Sequence, residues 1–185
     1  MSSTLTWPVQ RFPDSVFKSS WRLNCDVSAP DGSRDFDPLV GSWSVHVRRL
    51  LSPLTGSDEW VELEGTSNCR NIWEGHAQLE ELTLVDSADG TRNWALALRL
   101  YHPPTRMWNL YWANSNSSTI GAPETGRFVN GRGEFFAREL FKGTNVLVRY
   151  LWTDLATTKP KFEQAFSTDE GLTWEPNWVA LRARP

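Results

Sequence analysis

Gly41-Ser42-Trp43-Ser44-Val45-His46-Val47-Arg48 decides the fold class, because Trp43, Val45 and Val47 alternate with Ser44, His46 and Arg48. A period of two puts the apolar side chains on one face and the polar ones on the other, as in a half-buried β-strand. Runs of the same kind follow at 60–70, 77–85, 94–101, 107–113, 135–141, 146–153, 162–167 and 174–182. Asp89-Gly90 supplies turn chemistry between the third and fourth runs, and Pro103-Pro104 stops the fourth, since proline cannot donate to an interior ladder. Helix-period segments are nearly absent after residue 40, so about nine strands with turns between them predict an antiparallel meander. A meander hides its edges by closing on itself, and the expected fold is all-β, an antiparallel up-and-down barrel of about eight to ten strands. Such a barrel has room for filling side chains or for one small ligand. The stretch 114–126 is polar, without periodicity, and reads as a mobile lid or rim.

The chain's 185 residues suit one domain with a sizeable core. Residues 1–35 stand apart as an N-terminal strap, with Pro8, Pro13 and Pro30 around a predicted short helix over 14–23. Asp14 is its expected N-cap, with Phe17 and Trp21 on one face. Residues 36–185 form the expected barrel domain. Hydrophobic residues at 39%, charged residues at 22% and a net charge of −3 describe a folded globular protein rather than a disordered chain. The fifteen arginines are spread from Arg11 to Arg184 against an acidic balance, so no nucleic-acid partner is expected. No basic-then-apolar leader opens the chain, and the most apolar run, 146–152, is short and interrupted by Arg149. Cys25 and Cys69 are too far apart for a metal knuckle or redox pair and read as free thiols. The expectation is a cytoplasmic monomer or homodimer with no membrane partner.

Gly41-Ser42-Trp43, preceded by Asp35-Phe36-Asp37-Pro38-Leu39-Val40, resembles the G-x-W opening of the calycins, the lipocalin-like barrels. That resemblance implies a Trp43 that closes the barrel floor under an arginine from the last strand, Arg182 or Arg184. Ser167-Thr168-Asp169-Glu170-Gly171-Leu172-Thr173-Trp174 matches the Asp-box of sialidases. A single copy, on a chain this short, reads as a hairpin turn without a catalytic role. With the Trp108-to-Trp112 strand, Phe162-Glu163-Gln164-Ala165-Phe166 and Trp174-Glu175-Pro176-Asn177-Trp178, the stretch from about 35 to 184 resembles a family of uncharacterised bacterial calycin-like proteins. The resemblance implies the barrel and carries no reaction. Nitrobindins and related calycins hold haem through a late histidine, whereas His46, His76 and His102 are the only histidines here. No metal and no cofactor are expected, since these histidines form no H-x-H or H-E-x-x-H pair.

Eleven tryptophans are the unusual feature of the composition and suggest a wide interior or a ligand surface. Polar residues fall in phase with aromatics on four strands: Trp60 with Glu62 and Glu64, Trp108 with Leu110 and Trp112, Phe162 with Gln164 and Phe166, and Val146 with Val148, Tyr150 and Trp152. If these faces point inward they line a pocket with apolar walls and a few polar groups. Trp60, Trp108, Trp112, Arg138, Trp152, Phe162, Gln164 and Phe166 are the candidate ligand contacts. The leading function is binding of a small, largely apolar molecule, aromatic or polyene-like. An alternative is a cofactor-independent isomerase, cyclase or hydrolase in the same cavity. Glu62, Glu64 and Tyr150 would then transfer protons, with Arg138 or Gln164 stabilising negative charge. A third reading is an interaction protein with a filled barrel. The phase of the strand from Trp60 stays open: either Glu62 and Glu64 face the interior, where Arg99 or Arg138 would have to pair them, or Val61 and Leu63 do.

Overall fold

The computed structural model describes residues 31–185. Ten strands run in chain order: β1 (Gly41–Leu50), β2 (Trp60–Ile72), β3 (Ala77–Asp86), β4 (Arg92–His102), β5 (Met107–Asn114), β6 (Glu124–Val129), β7 (Arg132–Phe141), β8 (Thr144–Thr153), β9 (Lys161–Ser167) and β10 (Glu175–Ala183). Each pairs antiparallel with its sequence neighbours, and β10 returns to β1 with Val45 opposite Arg182, which closes the barrel. Closure covers the strand edges except beside β5, whose pairing with β6 stops at Leu110. The predicted helix over 14–23 and Cys25 lie outside the described residues.

One strand more than the nine read from periodicity is present. β6 begins inside the stretch expected to be a lid, and it pairs with β5 over only three residues, Trp108 to Leu110. Its inward row is Glu124, Gly126 and Phe128, too polar and too small to show an apolar period. The rest of the expected loop is held by the bridge between Ala113 and Ile120. Asn114 Oδ1 also accepts from the N–H groups of Asn116 and Ser117, at 3.0 Å each.

The floor is built by the residues that precede β1. Phe36 is fully buried and meets Trp108, Phe128, Phe135 and Trp152 at ring separations of 5.1, 5.0, 5.7 and 5.8 Å. A single 3-10 turn, Asp37–Leu39, then delivers the chain to β1. The turn is pinned from inside by Gln78 Nε2, which donates to the Phe36 carbonyl at 2.9 Å, and by Trp108 Nε1, which donates to the Gly32 carbonyl at 2.9 Å.

Trp43 donates its Nε1 proton to the Leu39 carbonyl at 2.7 Å, and the Arg184 guanidinium lies 3.7 Å from its ring. Of the two arginines considered, Arg184 makes this stack, while Arg182 turns inward. Gly41 has φ +113°, a conformation that favours glycine, and a Cβ there would sit 2.6 Å from Arg184 Nη1 and push that side chain aside. Gly65 plays a different part: on the inward row of β2 it lets the β3 backbone approach so closely that a Cβ would fall 1.9 Å from the Thr83 carbonyl oxygen.

The single Asp-box is a turn between β9 and β10. Asp169 accepts from the Thr173 N–H (2.9 Å) and hydroxyl (2.6 Å), and Ser167 Oγ accepts from the Gly171 N–H at 2.8 Å. The Thr173 hydrogen bonds, foremost, hold the Asp169 carboxyl down to about 2. All of these donors are spent on the turn itself, which is a structural role.

Candidate functional site

The phase of β2 is settled by its neighbour. β1 places His46 and Arg48 on the outer face directly opposite Glu64 and Glu62, so the carboxylates pair there: His46 Nε2 is 2.6 Å from Glu62, and Arg48 Nε donates to Glu62 at 3.2 Å. Trp60 shares that outer face, 5.0 Å from the Arg48 guanidinium. Leu63, Gly65, Ser67 and Cys69 form the inward row. Glu62, Glu64 and Trp60 are therefore corrected: none reaches the interior, because pairing charge with charge in water costs far less than burying it.

The remaining candidates divide. Trp112, Trp152, Phe162, Gln164 and Tyr150 come together around one interior cavity of about 100 Å³. Trp108 is buried in the floor against Phe36 rather than on the cavity wall. Phe166 packs with Val146, Val148 and Phe141 in a separate cluster. Arg138 lies on the outer face and forks onto Glu170 of the Asp-box turn, with Nη1 to Oε1 at 2.8 Å.

The cavity's charge comes from residues absent from the expected set. Glu80 on β3, Arg99 on β4 and Arg182 on β10 are 1, 2 and 5% exposed. Glu80 Oε2 accepts from Arg99 Nη2, and Oε1 accepts from Arg182 Nη2 at 3.0 Å and Nε at 3.3 Å. Arg99 Nη1 donates to Gln78 Oε1 at 3.0 Å. Both guanidiniums lie over Trp152, at 5.2 and 4.7 Å from its ring centroid, so cation–π attraction adds to the support they have from Glu80. Burial alone would raise the Glu80 carboxyl, but the Arg182 and Arg99 charges outweigh it and hold it down to about 2. Burial pushes the neighbouring Cys69 thiol up to about 11, which leaves it protonated and unreactive at neutral pH.

A signal for this triad exists in the sequence. Glu80 is in phase with Leu82 and Leu84, Arg99 with Ala97 and Tyr101, and Arg182 with Ala180. Each reads alone as a misplaced charge; only their meeting across three strands, two of them far apart in sequence, makes burial tolerable.

A second polar group borders the cavity. Tyr150 faces it from β8 beside Glu124 of β6, with Glu139 of β7 close by. Burial, reinforced by the Glu139 charge, pushes Glu124 up to about 8, and burial followed by these carboxylates raises the Tyr150 phenol further above its ordinary range. At neutral pH Glu124 is thus a neutral acid beside a neutral phenol. Gln164, which faces Trp178 across the β9–β10 pair, donates to Asn177 Oδ1 at 2.8 Å. Trp112 and Trp178 face each other 6.3 Å apart and stay half-buried, so the cavity meets solvent on their side. No histidine lines it, and among the described residues no three His, Cys, Asp or Glu side chains are grouped to hold a metal ion. No helix among them is long and apolar enough to cross a membrane.

The crystal structure of Rv2717c from M. tuberculosis has a similar barrel. The two chains are 16% identical with a TM-score of 0.57, over 85% of this chain and 98% of the other. That likeness is one of fold. No protein-family model and no curated protein matches the chain.

Proposed function

We propose that the protein binds a compact, largely apolar molecule inside its barrel. The observation that carries this reading is the cavity of about 100 Å³, walled by Trp112, Trp152, Phe162 and Trp178. An apolar cavity of roughly 150 Å³ holds benzene. The space here is about two-thirds of that, so a short branched chain matches it, a ring enters only with part of its body toward the open side between Trp112 and Trp178, and an extended polyene does not fit. We further place the chain among the calycin-like barrels, on the strength of Trp43 stacked under Arg184 at the mouth of β1, and in the cytosol, where a reduced thiol such as Cys69 persists.

Native mass spectrometry beside a denatured control, followed by tryptophan fluorescence titration with toluene and benzyl alcohol, tests the proposal. A saturable one-site response that Ala97→Leu abolishes by filling the cavity is the expected result. No retained mass and no response to either probe would defeat it in favour of a filled barrel.

Tyr150 on the cavity wall, with a protonated Glu124 beside it, favours a second reading, proton transfer on the bound molecule, as in a cofactor-independent isomerase, cyclase or hydrolase. Deuterium incorporation into the bound ligand in D2O, lost in Tyr150→Phe, is its test.

A further inference from the structure

We infer that the cavity's ligand is a small monocarboxylate, its anionic group held by Arg182 and Trp152 and its apolar body lying against Trp112, Phe162 and Trp178. The inference rests on the cavity-binding reading and adds the charge of what is bound.

Charge is the first ground. Two guanidiniums and one carboxylate are buried together, and arginine keeps its proton. Among the described residues Glu80 is the only ion-pair partner of either arginine. The group therefore carries an excess of one positive charge in a region where charge is costly unless it is paired.

Hydrogen-bond accounting is the second ground and is independent of the first. Arg182 spends Nε and Nη2 on Glu80, which leaves Nη1 buried without a partner; Trp152 Nε1 is buried without a partner too. Both side chains line the cavity, with the guanidinium 4.7 Å from the indole. Guanidinium and indole N–H groups only donate, so what both lack is an acceptor. Water supplies an acceptor without charge. A carboxylate supplies two oxygens and the missing negative charge, whereas a dianion would overcompensate and leave the triad with a net negative charge. The small volume and apolar walls restrict the remainder of the ligand to a compact hydrocarbon body.

The test compares isosteres on the unmodified protein at fixed ionic strength: benzoate against benzamide, and isobutyrate against isobutyramide, with sodium nitrate as a monoanion that has no apolar body and toluene as the neutral reference. Each acid is expected to bind at least about tenfold more tightly than its amide, as charge-assisted hydrogen bonds allow. It should also move the Trp152 indole N–H resonance. Trp152→Phe, which keeps an aromatic wall and removes the donor, should lose most of that preference. An amide that binds as well as its acid, or acids that are silent while toluene binds, would overturn the carboxylate inference and leave cavity binding standing. Nitrate binding as tightly as the acids would overturn the apolar-body part. Silence with toluene as well would remove the cavity reading itself.

Discussion

Replacing Glu80 by glutamine leaves the shape of the triad almost unchanged and doubles its excess charge, because Arg99 and Arg182 lose their shared counter-ion. Two lines of reasoning give the cost. A carboxyl held at about 2 instead of 4.5 contributes about 3 kcal/mol at neutral pH. Removal of one member of a buried ion pair typically costs about 3–5 kcal/mol. For a chain of this length each kcal/mol moves the melting temperature by about 2–4 °C, so Glu80→Gln should melt about 6–20 °C below the parent. The sign of the pH dependence follows from the lowered pKa. Glu80's contribution is fully present above pH 4.5 and is lost as pH falls through about 2, so the gap between variant and parent should narrow across that window. Thermal and urea unfolding, followed by near-UV circular dichroism at pH 7 and at successive acid pH values, measures both. A loss below about 1 kcal/mol, the size of a surface ion pair, would refute the reasoning. It would mean that the arginines are already solvated by water in the cavity.

Glu124 titrates in the opposite sense: raised to about 8, it makes the fold less stable as pH climbs from 4.5 to 8. Glu124→Gln should therefore stabilise the protein at pH 8–9 and change it little at pH 4.5, which denaturant melts at the two pH values would show. Gly41→Ala should lose about 1–3 kcal/mol from strain at φ +113° and displace Arg184 from Trp43, detectable as a lower urea midpoint and an altered Trp fluorescence spectrum. The double variant Glu62→Gln, Glu64→Gln should leave ligand affinity unchanged in the fluorescence titration, since both carboxylates lie on the outer face.

The barrel was legible because its signal is local. Trp43, Val45 and Val47 alternate with polar residues whatever the rest of the chain does, and a two-residue period fixes which atoms share a face. The same logic placed Trp112, Trp152, Phe162 and Gln164 on faces that do converge on the cavity. It stopped short wherever a face could be phased either way. Glu62 and Glu64 alternate as regularly as Val61 and Leu63, and only the pairing of β2 with β1, which sets Arg48 opposite Glu62, sends the carboxylates outward. The same limit applied to depth along the barrel. Trp108 shares a strand face with Trp112, yet the first is in the floor and the second on the cavity wall, because Phe36 enters from outside the sheet and packs against Trp108.

Strand type, meander order and the aromatic character of the interior are thus properties of the amino-acid sequence by itself, since each depends on residues two or a few positions apart. The buried Glu80–Arg99–Arg182 triad, the placing of Glu124 beside Tyr150 and the cavity's volume were decided only by tertiary structure. Arg182 lies 102 residues from Glu80, and the two meet because β10 closes the barrel against β1. A charge can be recognised as buried only when its counter-charge is in place, and that counter-charge arrives with ring closure.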